Sequence, residues 1–354
     1  MTQQSIDEQY MARCIQIATN GLGTTYPNPF VGSIIVHNNK IIGEGFTSEY
    51  GGPHAEVNAI NSIKNQELLK ESTLYVTLEP CSHHGKTPPC ADLIIKKEIP
   101  KVVIGTLDPF AKVNGQGYLR LLKNGVDVTL GVLEKECIKL NKRFITFHQK
   151  KRPYIILKWA QTEDGYMGRD DVQLWITNQY TKQLVHKWRT EEQAILVGKN
   201  TALIDNPQLN TRLWEGNNPL RIAIDKNLAI PRSFHLFDQT QPTVIFNSIE
   251  KCSEENLELV QLDFTQKILP QVMDYLYENN IQSLIIEGGS DTIQHFIDAD
   301  LWDEARILSS DTIWNEGILA PRLKGTRTEK HRFLNDELNI FENSCLLYTS
   351  DAAD

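Results

Sequence analysis

No apolar run in this 354-residue chain approaches the ~20 residues a membrane-spanning helix needs. The first ten residues, MTQQSIDEQY, are polar and acidic, so the basic start and apolar stretch of a secretory signal are missing. Cysteine is scarce: six are scattered through the chain, too sparse for a disulfide framework. These absences exclude a bilayer protein and a secreted disulfide scaffold and make a reducing cytoplasm the expected setting. A basic excess is missing too, with 36 Lys and Arg against 45 Asp and Glu and a net charge of -9. Residues 1–147 carry 15 basic and 14 acidic side chains, and the rest carry 21 and 31. Neither part has the charge of a nucleic-acid surface. No repeat, no low-complexity tract and no G-x-G-x-x-G after a strand is visible, so a Rossmann fingerprint is absent.

What is present is ordinary globular composition, 40% hydrophobic and 23% charged, in a chain long enough for two domains. The first part alternates helical and extended patterns. A helical stripe (Met11, Cys14, Ile15, Ala18) over 7–20 stops at Gly21. The run 31–36 turns at Asn38-Asn39 into 40–45 as a hairpin. Helices are predicted over 54–64, 90–98 and 119–124, and strands over 74–78 and 102–105. The basic stretch 141–153 holds no strong core pattern and is taken as the domain junction. A second α/β unit begins at 154–159 (YIILKW), with a helix over 179–189, strands over 194–197, 221–225 and 283–286, and an amphipathic stretch over 291–297. The expectation is an α/β protein with domains 1–147 and 148–344. The stretch 345–354 (CLLYTSDAAD) is unlike a domain end. It resembles a translated sequencing adapter and is set aside as a non-native tail.

One constellation carries chemistry by itself. His54-Ala55-Glu56 opens a predicted helix, Pro80-Cys81 follows a strand, and Cys90 precedes another helix. One imidazole and two thiolates supply three ligands for a tetrahedral zinc and leave the fourth position to water. The cation lowers the pKa of that water toward ~7. Glu56, two residues past His54, sits beside the metal without being a ligand and can move the proton to a leaving amine. H-x-E with P-C…C is the signature of zinc-dependent base deaminases. A helix-capping histidine and two buried small hydrophobes would give the same residues one at a time. The cysteine gap is eight residues where two are usual; His83 and His84 inside it could serve as rival ligands but are ranked as substrate-facing or structural. In the second part, Glu287-Gly288-Gly289-Ser290 at a strand end could hold a phosphate on the N–H groups of the next helix, or could be a plain strand-to-helix turn.

The segments TTYPNPFVGSIIV, GGPHAEVNAI and YVTLEPCSHHGKTPPCADLI resemble the deaminase half of the bifunctional riboflavin-biosynthesis deaminase–reductase family. RPYIILKWAQTEDG, WRTEEQAILVGKNTALIDNPQLNTR and LIIEGGSDTI resemble its reductase half. The resemblance runs to about residue 344, and in that family the long cysteine gap is the normal form. It implies a cytidine-deaminase-like zinc domain followed by a dihydrofolate-reductase-like domain that uses NADPH. It implies that His54, Cys81 and Cys90 bind one zinc, Glu56 shuttles the proton, Asn28 contacts the pyrimidine, Lys86 the phosphate and Asp108 the ribose. It also implies an NADPH site at Ala160, Trp175, Thr201, Asp205 and Gly289, Ser290, Asp291, Thr292, Ile293, Gln294 and His295. Gln173, Arg189, Leu209, Arg212 and Glu287 would line the reductase's substrate site.

The chain departs from the family at Thr47, where a histidine is common, at Phe110-Ala111, where Asn-Pro is common, and at Gln161-Thr162-Glu163, where a Ser-Leu motif is common. The implied partner is a pyrimidine ribosyl phosphate, with no nucleic acid and no membrane; self-association stays open. The implied reactions are deamination of 2,5-diamino-6-ribosylamino-4(3H)-pyrimidinone 5′-phosphate and NADPH-dependent reduction of the ribosyl chain. Two other readings remain: a zinc deaminase of cytidine or a tRNA adenosine, and a binding protein that has lost catalysis.

Overall fold

A computed structural model describes residues 2–83, 88–109, 115–169 and 175–343. His84, Lys86, Phe110, Ala111, Gln173 and the stretch 345–354 lie outside the described residues. The chain divides into two compact units, Met1–Lys151 and Arg152–Asp354. Among the described residues no helix is long and apolar enough to cross a membrane.

The first unit runs α1 (Gln3–Ala18), β1 (Gly32–His37), β2 (Lys40–Phe46), α2 (Ala55–Asn61), β3 (Thr73–Leu78), α3 (Cys90–Lys96), β4 (Lys101–Thr106), α4 (Gln116–Lys123), β5 (Asp127–Leu130), α5 (Glu134–Leu140) and α6 (Lys142–Lys150). The strand order is β2-β1-β3-β4-β5. β1 pairs antiparallel with β2 and β3, whereas β3, β4 and β5 run parallel. Strands with both faces covered must be apolar on both. Accordingly Ile35, Leu74, Val76 and Ile104 pack into one buried cluster, and Ile34, Tyr75 and Val103 into another.

Helix α1 starts before the expected residue 7 because Thr2 caps it, its side chain accepting from Ser5 N–H. Helix α2 is shorter than 54–64 and ends at Asn61. The stretch 141–153 holds the boundary between the units, after Lys151, but the expectation that it lacks a core pattern requires a correction. It contains α6, whose Phe144, Ile145 and Phe147 are buried, each worth about 2 kcal/mol of apolar burial. Only Thr146 separates them, and the flanking Lys142, Arg143, His148 and Lys150 hid the pattern. Asn141 fastens the helix start, its side chain accepting from Phe30 N–H at 2.8 Å and donating to Phe30 O at 3.0 Å.

The second unit runs β6 (Tyr154–Gln161), β7 (Tyr166–Gly168), α7 (Gln179–Glu191), β8 (Ala194–Gly198), α8 (Lys199–Asp205), β9 (Leu220–Ile224), β10 (Thr243–Asn247), β11 (Cys252–Ser253), β12 (Leu257–Gln261), α9 (Ile268–Glu278), β13 (Ser283–Glu287), α10 (Ser290–Asp298), β14 (Glu304–Ser309), β15 (Ile318–Leu319), β16 (Thr326–Phe333) and β17 (Asp336–Glu342). One sheet has the order β11-β12-β10-β9-β8-β13-β6-β14-β17-β16. Its middle, from β12 to β14, is parallel, and both ends turn antiparallel. Along β6, Tyr154 and Ile156 face one core while Ile155, Leu157 and Trp159 face the other. Ligands in such sheets bind beyond the carboxyl ends of the parallel strands. In the second unit those ends are Lys158–Gln161, Gly198 and Glu287–Gly289; in the first they are Leu78–Cys81 and Thr106–Asp108.

Candidate metal centre and nucleotide site

His54 is the residue before α2, with extended backbone and no capping bond from its side chain, so the imidazole is free to serve something else. Helix α2 can press onto β2 because residue 45 is glycine: a Cβ there would lie 2.4 Å from Ala59 N. Cys81 follows β3 by three residues, and Cys90 opens α3. His54 Nδ1 lies 3.6 Å from Cys81 Sγ and 3.4 Å from Cys90 Sγ, and the ligand atoms of all three fall within 4.8 Å of one another. Bond lengths of ~2.0–2.1 Å to nitrogen and ~2.3 Å to sulfur at a tetrahedral angle put N and S about 3.6 Å apart. The donor set therefore fits zinc in identity and in spacing. Cys90 N–H donates to Cys81 Sγ at 3.3 Å and Ala91 N–H to Cys81 O at 3.1 Å, which fixes the first sulfur against the helix bearing the second. His83 is exposed and is not one of this group.

On their own, these donors share protons unequally. A hydrogen bond from Cys90 holds the Cys81 thiol down at about 4, and the same bond pushes the Cys90 thiol up. A hydrogen bond to Cys81 raises His54 to about 9. A cation needs thiolates and a neutral imidazole, so binding one releases protons. Glu56, in the first turn of α2, is buried, and that burial pushes its carboxyl up to about 7. A group poised there can both accept and return a proton near neutrality.

His54, Glu56 and Cys81 line a cavity of about 340 Å³ together with Asn28, Thr47, Glu79, Asp108, Phe144 and His148. Asn28 and Asp108 thus line the same cavity as His54, Glu56 and Cys81. Thr47 stands in the wall, its Oγ1 accepting from Val31 N–H at 3.2 Å. Sequence reasoning missed Glu79, Phe144 and His148. Glu79 directly precedes Pro80-Cys81, a signal that was available. Phe144 and His148 are four apart on α6, with rings 4.4 Å apart. Burial holds the His148 imidazole near 4, hence neutral.

In the second unit, the ends of neighbouring strands β8 and β13 each feed a helix. Thr201 Oγ1 accepts from Gly289 N–H at 2.7 Å and ties the two turns together. A Cβ at Gly289 would meet only that hydroxyl, at 3.4 Å, so the turn is open on its other sides. Ser290, Asp291 and Thr292 form the first turn of α10. Ile293 packs its side chain fully into the core. Gln294 is engaged with Asp298 and with Arg322 N–H, and His295 is exposed a turn further on. Asp205 ends α8, where burial raises its carboxyl. Ala160 lies near the end of β6. Trp175 is exposed, with Lys182 Nζ 3.7 Å from its ring centre, and no described contact brings it to the glycines.

A charged group lies beside these turns. Arg189 Nη2 donates to Glu287 Oε2 at 2.8 Å, and Lys158 Nζ is 3.9 Å from the same oxygen. Burial would raise Glu287, yet Arg189 and Lys158 hold it down at about 2. Arg189 also donates to Asn210 O at 3.1 Å, and Arg212 to Asn210 Oδ1 at 2.8 Å. Leu209, buried with φ 53°, turns the chain into that loop. Lys158 was overlooked in the sequence, although a lysine inside YIILKW interrupts an otherwise apolar strand.

Residues 4–106 match the cytidine and deoxycytidylate deaminase zinc-binding region, and residues 153–313 match the RibD C-terminal domain. Riboflavin biosynthesis protein RibD of Aquifex aeolicus is 37% identical over 323 residues, 89% of this chain and 90% of the relative. The protein of the same name from Actinobacillus pleuropneumoniae is 41% identical over 295 residues, 80% of this chain and 78% of the relative. A crystal structure of a Thermotoga maritima diaminohydroxyphosphoribosylaminopyrimidine deaminase/5-amino-6-(5-phosphoribosylamino)uracil reductase superposes with a TM-score of 0.89 at 36% identity. That match covers 97% of this chain and 100% of the other.

Proposed function

The chain belongs to the RibD family of bifunctional riboflavin-biosynthesis deaminase–reductases, and from that membership we propose how its residues divide the two reactions. The first unit has the cytidine-deaminase-like fold and the second the dihydrofolate-reductase-like fold of the family's reductase half. The deaminase acts on 2,5-diamino-6-ribosylamino-4(3H)-pyrimidinone 5′-phosphate, and the reductase converts the ribosyl chain of its product to ribitol with NADPH. We place both activities in the cytoplasm, where Cys81 and Cys90 stay reduced.

His54, Cys81 and Cys90 would hold a zinc ion, which when bound would lower the pKa of water toward neutrality. Glu56, buried in the same cavity, would accept a proton from water at its carboxylate and return it to the departing amine. Asn28 holds the pyrimidine, Asp108 the ribose and Lys86 the phosphate. In the second unit, the Gly288-Gly289 turn and the first N–H groups of α10 suit a cofactor phosphate, with Thr201, Asp205 and Ala160 on the neighbouring elements; Trp175 joins this site on the family resemblance alone. NADPH when bound supplies the hydride for C1′ of the opened ribosyl chain. Arg189 and Arg212 offer guanidinium forks to the substrate phosphate, and Glu287 keeps Arg189 oriented. Gln173 and Leu209 complete that pocket.

The single observation carrying the deaminase is the His54, Cys81 and Cys90 group with Glu56 in the cavity that His54 and Cys81 line. The test is a coupled assay on the purified chain with the diaminopyrimidine substrate. One ammonia released before one NADPH oxidised is the expected result. Ammonia from cytidine but not from this substrate would overturn the assignment, as would ligand binding without turnover.

A further inference from the structure

We propose that Glu79 is a positioning residue of the deaminase, setting Asp108 against the metal loop from a single carboxylate. The inference rests on the reading of Asp108 as a substrate contact. Glu79 is 4% exposed and follows β3 directly, two residues before Cys81. Its Oε2 accepts from Asp108 N–H at 3.2 Å and from Gly115 N–H at 2.9 Å. Its Oε1 accepts from Gly117 N–H at 2.7 Å and from Tyr118 N–H at 3.1 Å. A carboxylate has room for about four donors, and here all come from backbone. One oxygen thus ties Asp108 to Gly115, and the other closes the first turn of α4. Negative charge is favoured at that helix end, and ionised acceptors make the stronger bonds.

Two further contacts make α4 a brace for the metal ligands. Gly117 approaches so closely that a Cβ there would fall 1.9 Å from Pro80 O, the carbonyl next to Cys81. Arg120, on the same helix, donates to Ser82 O at 3.0 Å and pairs with Asp92 at 2.7 Å. Ser82 adjoins Cys81, and Asp92 lies two residues past Cys90. Asp108 and the metal sulfurs are thereby registered to one helix, and Glu79 is where that helix, Asp108 and the Cys81 strand meet. Glutamine at 79 keeps the size but turns an NH2 group toward two of the four N–H donors.

The experiment is a cycle of Glu79→Gln, Asp108→Ala and the double variant in the full chain. Its readouts are deaminase KM and kcat, bound zinc and reductase rate. Glu79→Gln is expected to raise KM about tenfold, the scale of one lost charge-assisted bond, while zinc and reductase rate hold. In the Asp108→Ala background the same change is expected to add less than about twofold, because the group it positions is gone. KM moved by Asp108→Ala but not by Glu79→Gln overturns the inference alone, as do fully multiplicative effects. KM unmoved by Asp108→Ala overturns the reading of Asp108 and the inference with it. Should Glu79→Gln lose zinc, Arg120→Ala carries the test at the exposed fastening of α4. It is expected to raise KM about threefold only when Asp108 is present, and an unchanged KM overturns the inference.

Discussion

The two units concentrate their chemistry differently. In the first, three ligand atoms from separate elements converge within 4.8 Å and a buried carboxylate shares the cavity that two of them line. In the second, the candidate groups are spread along the ends of β6, β8 and β13 and are held by hydrogen bonds and charge pairs. A metal centre fails as a whole when one ligand goes, whereas a row of backbone and side-chain contacts weakens in steps. The largest expected effect follows. Cys90→Ser should cut bound zinc from one per chain to near none and abolish ammonia release while leaving NADPH oxidation on supplied deaminated substrate intact. Metal analysis beside the two separate assays reads this directly, and equal loss of both activities would erase the contrast between the units. Next in size, Glu56→Gln should keep the zinc and lower deaminase kcat by ~10²–10⁴, the usual worth of a placed general base. Retained deamination by that variant would remove Glu56 from the proton path.

The same contrast explains what the sequence could disclose. His54, Glu56, Cys81 and Cys90 are readable because metal chemistry restricts residue type at each place. Arg189 and Glu287 are 98 residues apart, and nothing short-range in either segment announces their 2.8 Å contact; only resemblance pointed there. Core strands such as β6 and β13 were legible from their apolar runs. The terminal β16 was not, since its TRTEKHRF is exposed at nearly every position. The boundary between the units does fall within 141–153, after Lys151, but helix α6 was not legible there because its buried run 143–147 includes Arg143 and Thr146 and is flanked by lysines. Phe144 and His148 were lost from the cavity for the same reason.

A middle-sized effect tests how far the second unit depends on its charge pair. Glu287 ionises at about 2 when folded, below the ordinary 4.5. A depressed carboxylate lends stability above its unfolded pKa and loses it as pH falls toward the folded value. The unfolding temperature of this unit should therefore drop between about pH 4.5 and 2, and Glu287→Gln should flatten that slope. At neutral pH the same variant should cost about 3 kcal/mol, because Arg189 and Lys158 would be left buried without their anion. Calorimetry across this range checks both. An unchanged acid slope in Glu287→Gln would mean that other carboxylates dominate.

The smallest effect asks whether the glycine turn works by backbone placement alone. Thr201 Oγ1 is the acceptor for Gly289 N–H at 2.7 Å, and it joins the turns after β8 and β13. Thr201→Val keeps the side-chain shape and removes the acceptor, so the half-buried Gly289 N–H is left to solvent or to the cofactor. Losing one such bond costs about 1 kcal/mol, equivalent to a roughly fivefold weaker hold on NADPH. Deamination should not change, since Thr201 belongs to the other unit. Titration of NADPH binding by fluorescence, run beside ammonia release, separates the outcomes. A fivefold shift confined to NADPH would support stepwise weakening in the second unit, against all-or-none loss at the metal. A loss of a hundredfold or more would show that the turn is as indivisible as the zinc centre, and the distinction between the units would fail at that point.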